Sequence, residues 1–117
     1  MNRFKELKVW QESIDLSVDI YAVCKTLPNE EKFGLISQLQ RASVSVSANI
    51  AEGAGRNNKG EFYHFLGIAT GSLSEVESLL ALATRLKYIR TKELNLFDAK
   101  ILKIQNMLYK LKTTIKK

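Results

Sequence analysis

The apolar residues of this chain recur at steps of three and four, almost without interruption, from Phe4 to Ile115. That is the period of an α-helix, and no stretch shows the sustained alternation of a strand. Leu7, Trp10, Ile14, Val18 and Tyr21 make one stripe of a first helix expected over Phe4 to Leu27. Val9, Leu16, Ile20 and Leu27 make a second stripe on the same helix, turned away from the first. Pro28 stops this helix, and Asn29 is placed to cap the next one ahead of Glu30 and Glu31. The second helix is expected from about Glu30 to Ala54, with Leu35, Leu39, Ala42, Val46, Ile50 and Gly53 on one side. The glycines of Gly53-Ala-Gly55 are expected to supply a left-handed turn that ends it.

Asn58, with Glu61 three residues later, reads as the cap of a third helix. Its stripe is Phe62, Phe65, Leu66, Ala69, Leu73, Val76, Leu80 and Ala83, and it is expected to end near Tyr88-Ile89-Arg90. Thr91 is the expected cap of a fourth helix carrying Leu94, Phe97, Ile101, Ile104, Leu108, Leu111 and Ile115. Long helices joined by short connections predict an all-α, antiparallel up-and-down four-helix bundle, one domain over residues 1–117.

Composition removes several classes of function. One cysteine, Cys24, allows no internal disulfide and reads as a buried small side chain; with the single His64 it leaves no cluster for a metal. His64 has Gly67 and Ile68 at plus three and plus four and no serine at helical spacing, so no catalytic triad is expected around it. The run Gly55-Arg-Asn-Asn-Lys-Gly60 has the glycine spacing of a phosphate loop, but Glu61 and Phe62 stand where lysine and serine or threonine are needed. Arg56 and Lys59 beside the start of the third helix leave open a contact there with a backbone phosphate. No catalytic residue, metal or cofactor is expected. The charged N-terminal stretch has no signal-peptide block, and no unbroken apolar run approaches membrane-spanning length, which points to a cytoplasmic protein without a membrane partner.

Two helices carry more apolar surface than a lone bundle needs. Helix 1 has two stripes, and helix 3 adds Ile68, Leu79, Leu82 and Leu86 beside its main one. Gly67, Gly71, Ser74 and Ser78 form a strip of small residues on another face of helix 3. A helix apolar on more than one side needs more than one partner surface, so a homo-oligomer is expected. Close backbone approach would offset the glycines' low helix propensity.

Charge is divided unevenly. Residues 1–84 hold 8 Lys+Arg and 10 Asp+Glu, whereas residues 85–117 hold 10 Lys+Arg and only Glu93 and Asp98. On the fourth helix, Lys92, Lys100, Lys103, Lys110 and Lys117 fall within one arc away from the apolar side, and Arg85, Lys87 and Arg90 extend the patch. Such a stripe suits the phosphates of RNA or DNA. The few aromatics among these residues, Tyr88, Phe97 and Tyr109, point to backbone contact rather than base stacking.

Helix 2 carries Gln38, Arg41, Ser45, Asn49 and Glu52 along one edge beside its apolar face. They read as a structural polar network, joined by Glu75 of helix 3; a catalytic groove centred on Glu52 would lack both nucleophile and metal.

Trp10, Leu27-Pro28, Glu31, Phe33-Gly34-Leu35, Gln38-Leu39, Arg41-Ala42, Ser45-Val46 and Asn49-Ile-Ala-Glu-Gly53 form a recognisable pattern. Glu61-Phe62, Phe65-Leu66, Ala69 and Gly71-Ser-Leu73 with Glu75 continue it. The chain resembles the four-helix-bundle proteins encoded in intervening sequences of bacterial 23S ribosomal RNA genes. It is similar also to the accessory protein of diversity-generating retroelements. The resemblance implies a ring-like homopentamer and a nucleic-acid-associated role without catalysis. For the retroelement relative it implies binding to nucleic acid and to a reverse transcriptase. The leading expectation is a non-enzymatic, oligomeric protein binding RNA or DNA backbone. The competing one is a protein-interaction module, such as an accessory subunit for a reverse transcriptase or another acidic partner.

Overall fold

The computed structural model describes residues 3–116. Four α-helices, α1 (Lys8–Cys24), α2 (Leu35–Ala54), α3 (Lys59–Arg85) and α4 (Thr91–Lys116), follow one another in an antiparallel bundle of 44 × 24 × 20 Å. Short 3-10 turns at Phe4–Glu6 and Asn29–Glu31 precede the first two. The described residues contain no strand, as the sequence predicts. Lys117 lies outside them.

The core is built from one arc of each helix. Leu16 and Ile20, Leu39, Val46 and Ile50, Leu66, Leu73, Val76 and Leu80, and Ile101, Ile104 and Leu108 are sealed from solvent. On α1 it is the second stripe that turns inward. Val9, Leu16, Ile20 and Leu27 are buried, while Val18 and Tyr21 of the first stripe stand 62 % and 44 % exposed. Periodicity sets the angle between two stripes on one helix, but not which of them meets the neighbours. Cys24 is buried among these residues, and burial pushes its thiol upward.

The helix ends depart from the sequence expectation on every helix. Helix α1 runs from Lys8 to Cys24 rather than from Phe4 to Leu27, because Phe4–Glu6 forms a separate 3-10 turn and the Thr26 and Leu27 N–H groups donate to the Val23 and Cys24 carbonyls, three residues back. Helix α2 starts at Leu35 rather than near Glu30, because Asn29–Glu31 forms a separate turn and Glu31 Oε1 accepts the Leu35 N–H at 3.1 Å. No described glycine has a positive φ, so Gly53 ends nothing with a left-handed turn. It is helical, and a β-carbon there would sit 2.8 Å from Phe65 Cβ and 3.3 Å from the Phe62 carbonyl oxygen. Its function is to let α2 and α3 approach.

Helix α3 ends at Arg85, earlier than expected, with Lys87 at φ 65°. The Tyr88 N–H returns to the Ala83 carbonyl at 2.9 Å and the Lys87 N–H to Thr84 at 2.9 Å, which satisfies the last carbonyls of the helix. Helix α4 is capped by Glu93 rather than Thr91, its Oε1 accepting the Arg90 N–H at 3.1 Å. The Asn58 cap of α3 forms as expected, Oδ1 accepting the Glu61 N–H at 2.9 Å.

By length and composition α3 is apolar enough to cross a membrane. Seven of its residues, Phe62 to Ala83, form the centre of the bundle instead.

Candidate functional site

The basic residues of the C-terminal third divide into groups with different surroundings. Lys100 and Lys103 lie on the flank of α4 that faces α1. Lys100 is hydrogen-bonded to Asp19, and Lys103 Nζ stands 3.3 Å from Glu12 Oε2. These two lysines are already neutralised within the chain. The acidic residues that do so lie more than eighty positions earlier, which no reading of α4 alone reveals.

Arg85, Lys87, Arg90 and Lys92 surround the α3–α4 connection. All four are exposed, and among the described residues none forms an ion pair. The local fold explains their crowding. The left-handed Lys87 turns the chain so sharply that the last residue of α3 and the first turn of α4 share one end of the bundle. Glu93, the nearby acid, is engaged with the Arg90 N–H. Arg90 and Lys92 flank the start of α4, where the helix dipole already favours an anion. Lys110 is also exposed and outside any ion pair among the described residues, so the stripe expected along α4 is interrupted at its middle. Lys117 falls outside the described residues.

The polar edge of α2 does not form the single network expected for it. Asn49 Nδ2 donates to the Ser45 carbonyl at 2.8 Å and to Ser45 Oγ at 3.0 Å, and Ser45 Oγ meets Ser72 Oγ of α3 at 2.9 Å. This chain of contacts joins α2 to α3. Arg41 reaches only Ser37 Oγ, one turn back on its own helix, at 3.2 Å. Glu52 holds Arg56 at 2.8 Å, and Arg56 also reaches Glu61 at 3.3 Å. Gln38 and Glu75 are exposed and enter no side-chain hydrogen bond or ion pair among the described residues. The network separates because Ser45 and Asn49 lie at the seam with α3, whereas Arg41, Glu52 and Glu75 lie farther round towards solvent. Ser72, the partner on α3, is absent from the helix 2 pattern; its position within Gly71-Ser72-Leu73 is the signal that could have found it.

Arg56, beside Gly55–Gly60, is held between two carboxylates that a phosphate would have to displace. Among the described residues no three His, Cys, Asp or Glu side chains are grouped to hold a metal ion. His64 packs edge-on against Phe65, with ring centroids 5.5 Å apart.

Ile68, Leu82 and Leu86 of α3 remain exposed, as do Val18 and Tyr21 of α1. A β-carbon at Gly67 or Gly71 would meet nothing within 4 Å. The close approach expected over this strip is therefore not made inside the chain.

The family model described as 23S rRNA-intervening sequence protein matches residues 5–110. The fold is similar to a crystal structure of a protein with unknown function from the S23 ribosomal protein family of Bacteroides thetaiotaomicron. That similarity has a TM-score of 0.83 at 28 % identity, covering 90 % of this chain and 95 % of the other. No curated protein matches the sequence. The match extends from before α1 to near the end of α4, and the chain belongs to the 23S rRNA-intervening sequence protein family.

Proposed function

We propose that the chain is a non-enzymatic, oligomeric protein that binds the backbone of RNA or DNA. The observation carrying this reading is the cluster Arg85, Lys87, Arg90 and Lys92, four exposed cations that form no ion pair among the described residues, at one end of the bundle. Each lysine or arginine that meets a phosphate releases condensed counterions, so affinity falls steeply with salt and depends little on sequence. Lys110 is a further phosphate ligand. Lys100 and Lys103 contribute less, because Asp19 and Glu12 must first give them up.

A homo-oligomer, a pentamer by the family resemblance, is part of the same proposal. Exposed Ile68, Leu82 and Leu86, with the uncovered Gly67–Gly71 strip, support it. Repetition of the cluster around an assembly would multiply weak phosphate interactions. The same α3 surface favours a second reading, in which a protein partner such as a reverse transcriptase covers it.

Binding of labelled RNA and DNA strands across a salt series tests the proposal. Replacing Arg85, Lys87, Arg90 and Lys92 by glutamine should weaken binding to every sequence. On single strands the logarithmic salt slope should flatten by about 0.7 for each phosphate that is no longer neutralised. Unchanged affinity and slope would refute the assignment of the cluster. Light scattering at micromolar concentration tests the assembly: a bulky residue at Gly71 should shift the mass downward, and a parental chain of monomer mass would refute it.

A further inference from the structure

The opposite end of the bundle, where α3 begins and α4 finishes, gathers a second basic surface that the α4 stripe does not include. Tyr63, on the second turn of α3, is 37 % exposed. Lys112 Nζ stands 5.0 Å from the centroid of its ring, and Lys116 Nζ 6.0 Å. Both lysines come from α4, so the arrangement exists only because the two helices are antiparallel neighbours. Neither lysine pairs with a carboxylate among the described residues. The reason lies in the sequence of both helices: no Asp or Glu occurs from Phe62 to Ser74, nor from Ala99 to the end. One turn before Lys112 on α4, Tyr109 is 72 % exposed. Lys59, an exposed cation outside any ion pair among the described residues, lies one turn before Tyr63.

We infer that this end is a site for single-stranded nucleic acid, with Tyr63 and Tyr109 stacking on bases while Lys112, Lys116 and Lys59 take the flanking phosphates. The inference rests on the nucleic-acid reading and revises the sequence expectation of backbone contact alone, because Tyr63 of α3 joins the α4 lysines only in the folded chain. An ammonium group resting on an exposed aromatic face is weakly held. A phosphate attracts it more strongly, so an arriving strand draws Lys112 and Lys116 off the ring and leaves that face open for a base. Tyr63 and Tyr109 supply two π-faces beside this cationic end, the combination that single-strand binders use. A duplex keeps its bases stacked on one another and cannot use the tyrosines.

The test is binding, by fluorescence anisotropy, of oligothymidine and oligouridine of about 20 nucleotides, of an abasic phosphodiester strand of the same length, and of a duplex. The double variant Tyr63→Leu with Tyr109→Leu should lose about tenfold or more in affinity for the base-bearing single strands. Its affinity for the abasic strand and the duplex, and its salt slope, should stay parental. The variant Lys112→Gln with Lys116→Gln should weaken binding to all strands and flatten the slope. Both variants replace partly or wholly exposed side chains, and circular dichroism checks that the helices persist. A tyrosine variant that binds oligothymidine and oligouridine as tightly as the parent, while the parent does bind them, overturns this site and leaves the wider reading standing. A parent that binds no strand overturns both.

Discussion

Between α2 and α3 the backbones come so close that Gly53 has no room for a methyl group against Phe62 and Phe65, and the polar contact across the seam is an uncharged pair of serines, Ser45 and Ser72. Between α1 and α4 a groove of about 520 Å³ stays open, lined by Ala22, Val23, Leu96 and Phe97 and bridged by Asp19–Lys100, with Glu12–Lys103 joining the same two helices farther along. The first seam depends on shape and van der Waals contact, which salt hardly touches. The second depends partly on surface ion pairs, each worth at most about 1 kcal/mol and screened by salt. The difference bears on function as well as stability. The charges that close α1 onto α4 are drawn from the same lysines that would otherwise face a polyanion.

The comparison breaks most readily at Gly53. In an uncrowded helix, Gly53→Ala would stabilise by about 1 kcal/mol through helix propensity alone. Here the added β-carbon would stand 2.8 Å from Phe65 Cβ, and the net result should be a loss of about 1–3 kcal/mol in urea unfolding. A gain in stability would show that the α2–α3 seam yields easily and that the contrast is overstated. Ser72→Ala tests the same seam more gently. It removes the partner of Ser45 Oγ and should cost about 1 kcal/mol, unaltered by salt.

At the end of α3, Lys87→Gly relieves a left-handed backbone that lysine adopts at a cost, and should raise stability by about 0.5–1 kcal/mol while removing one cation of the proposed cluster. A variant that is more stable yet binds nucleic acid less tightly would separate fold from function at a single residue.

On the α1–α4 side, Asp19→Asn with Glu12→Gln should lower stability by less than about 1 kcal/mol for each pair, because both pairs are partly exposed. The released Lys100 and Lys103 should then steepen the salt dependence of nucleic-acid binding. No change in the salt slope would mean that these lysines do not meet the polyanion even when free.

The smallest effect is expected in alkali. The Tyr88 hydroxyl donates to Glu31 Oε2 at 3.1 Å, tying the α3–α4 connection to the α1–α2 connection. That hydrogen bond, with a smaller contribution from burial, raises the phenol above its ordinary value of about 10. A raised phenol favours the protonated, folded form. Its contribution is complete below pH 10 and fades as the pH climbs through the folded-state value. Unfolding midpoints of Tyr88→Phe followed into alkali should show a shallower decline than the parent.

The fold was legible because helices leave a local signal. The period of Leu35, Leu39, Ala42, Val46 and Ile50, the break at Pro28 and the Asn58 cap each express the geometry of a few consecutive residues. The candidate site was half legible. The excess of lysine and arginine after residue 84 is a property of composition, but which of them remain available is not. Glu12 and Asp19 are separated from their lysines by most of the chain, and nothing in their own neighbourhood announces the partner.

By itself the sequence determined the number of helices, their apolar arcs and the basic character of the last one, since 3.6 residues per turn fixes every angle within a helix. Only the tertiary structure decided which stripe of α1 is buried and that Gly53 serves close packing. It alone neutralised Lys100 and Lys103, left the α3–α4 connection charged, and brought Lys112 and Lys116 over Tyr63. The rotation of one helix against the next is set by how their side chains pack, and the period within a single helix carries no record of it.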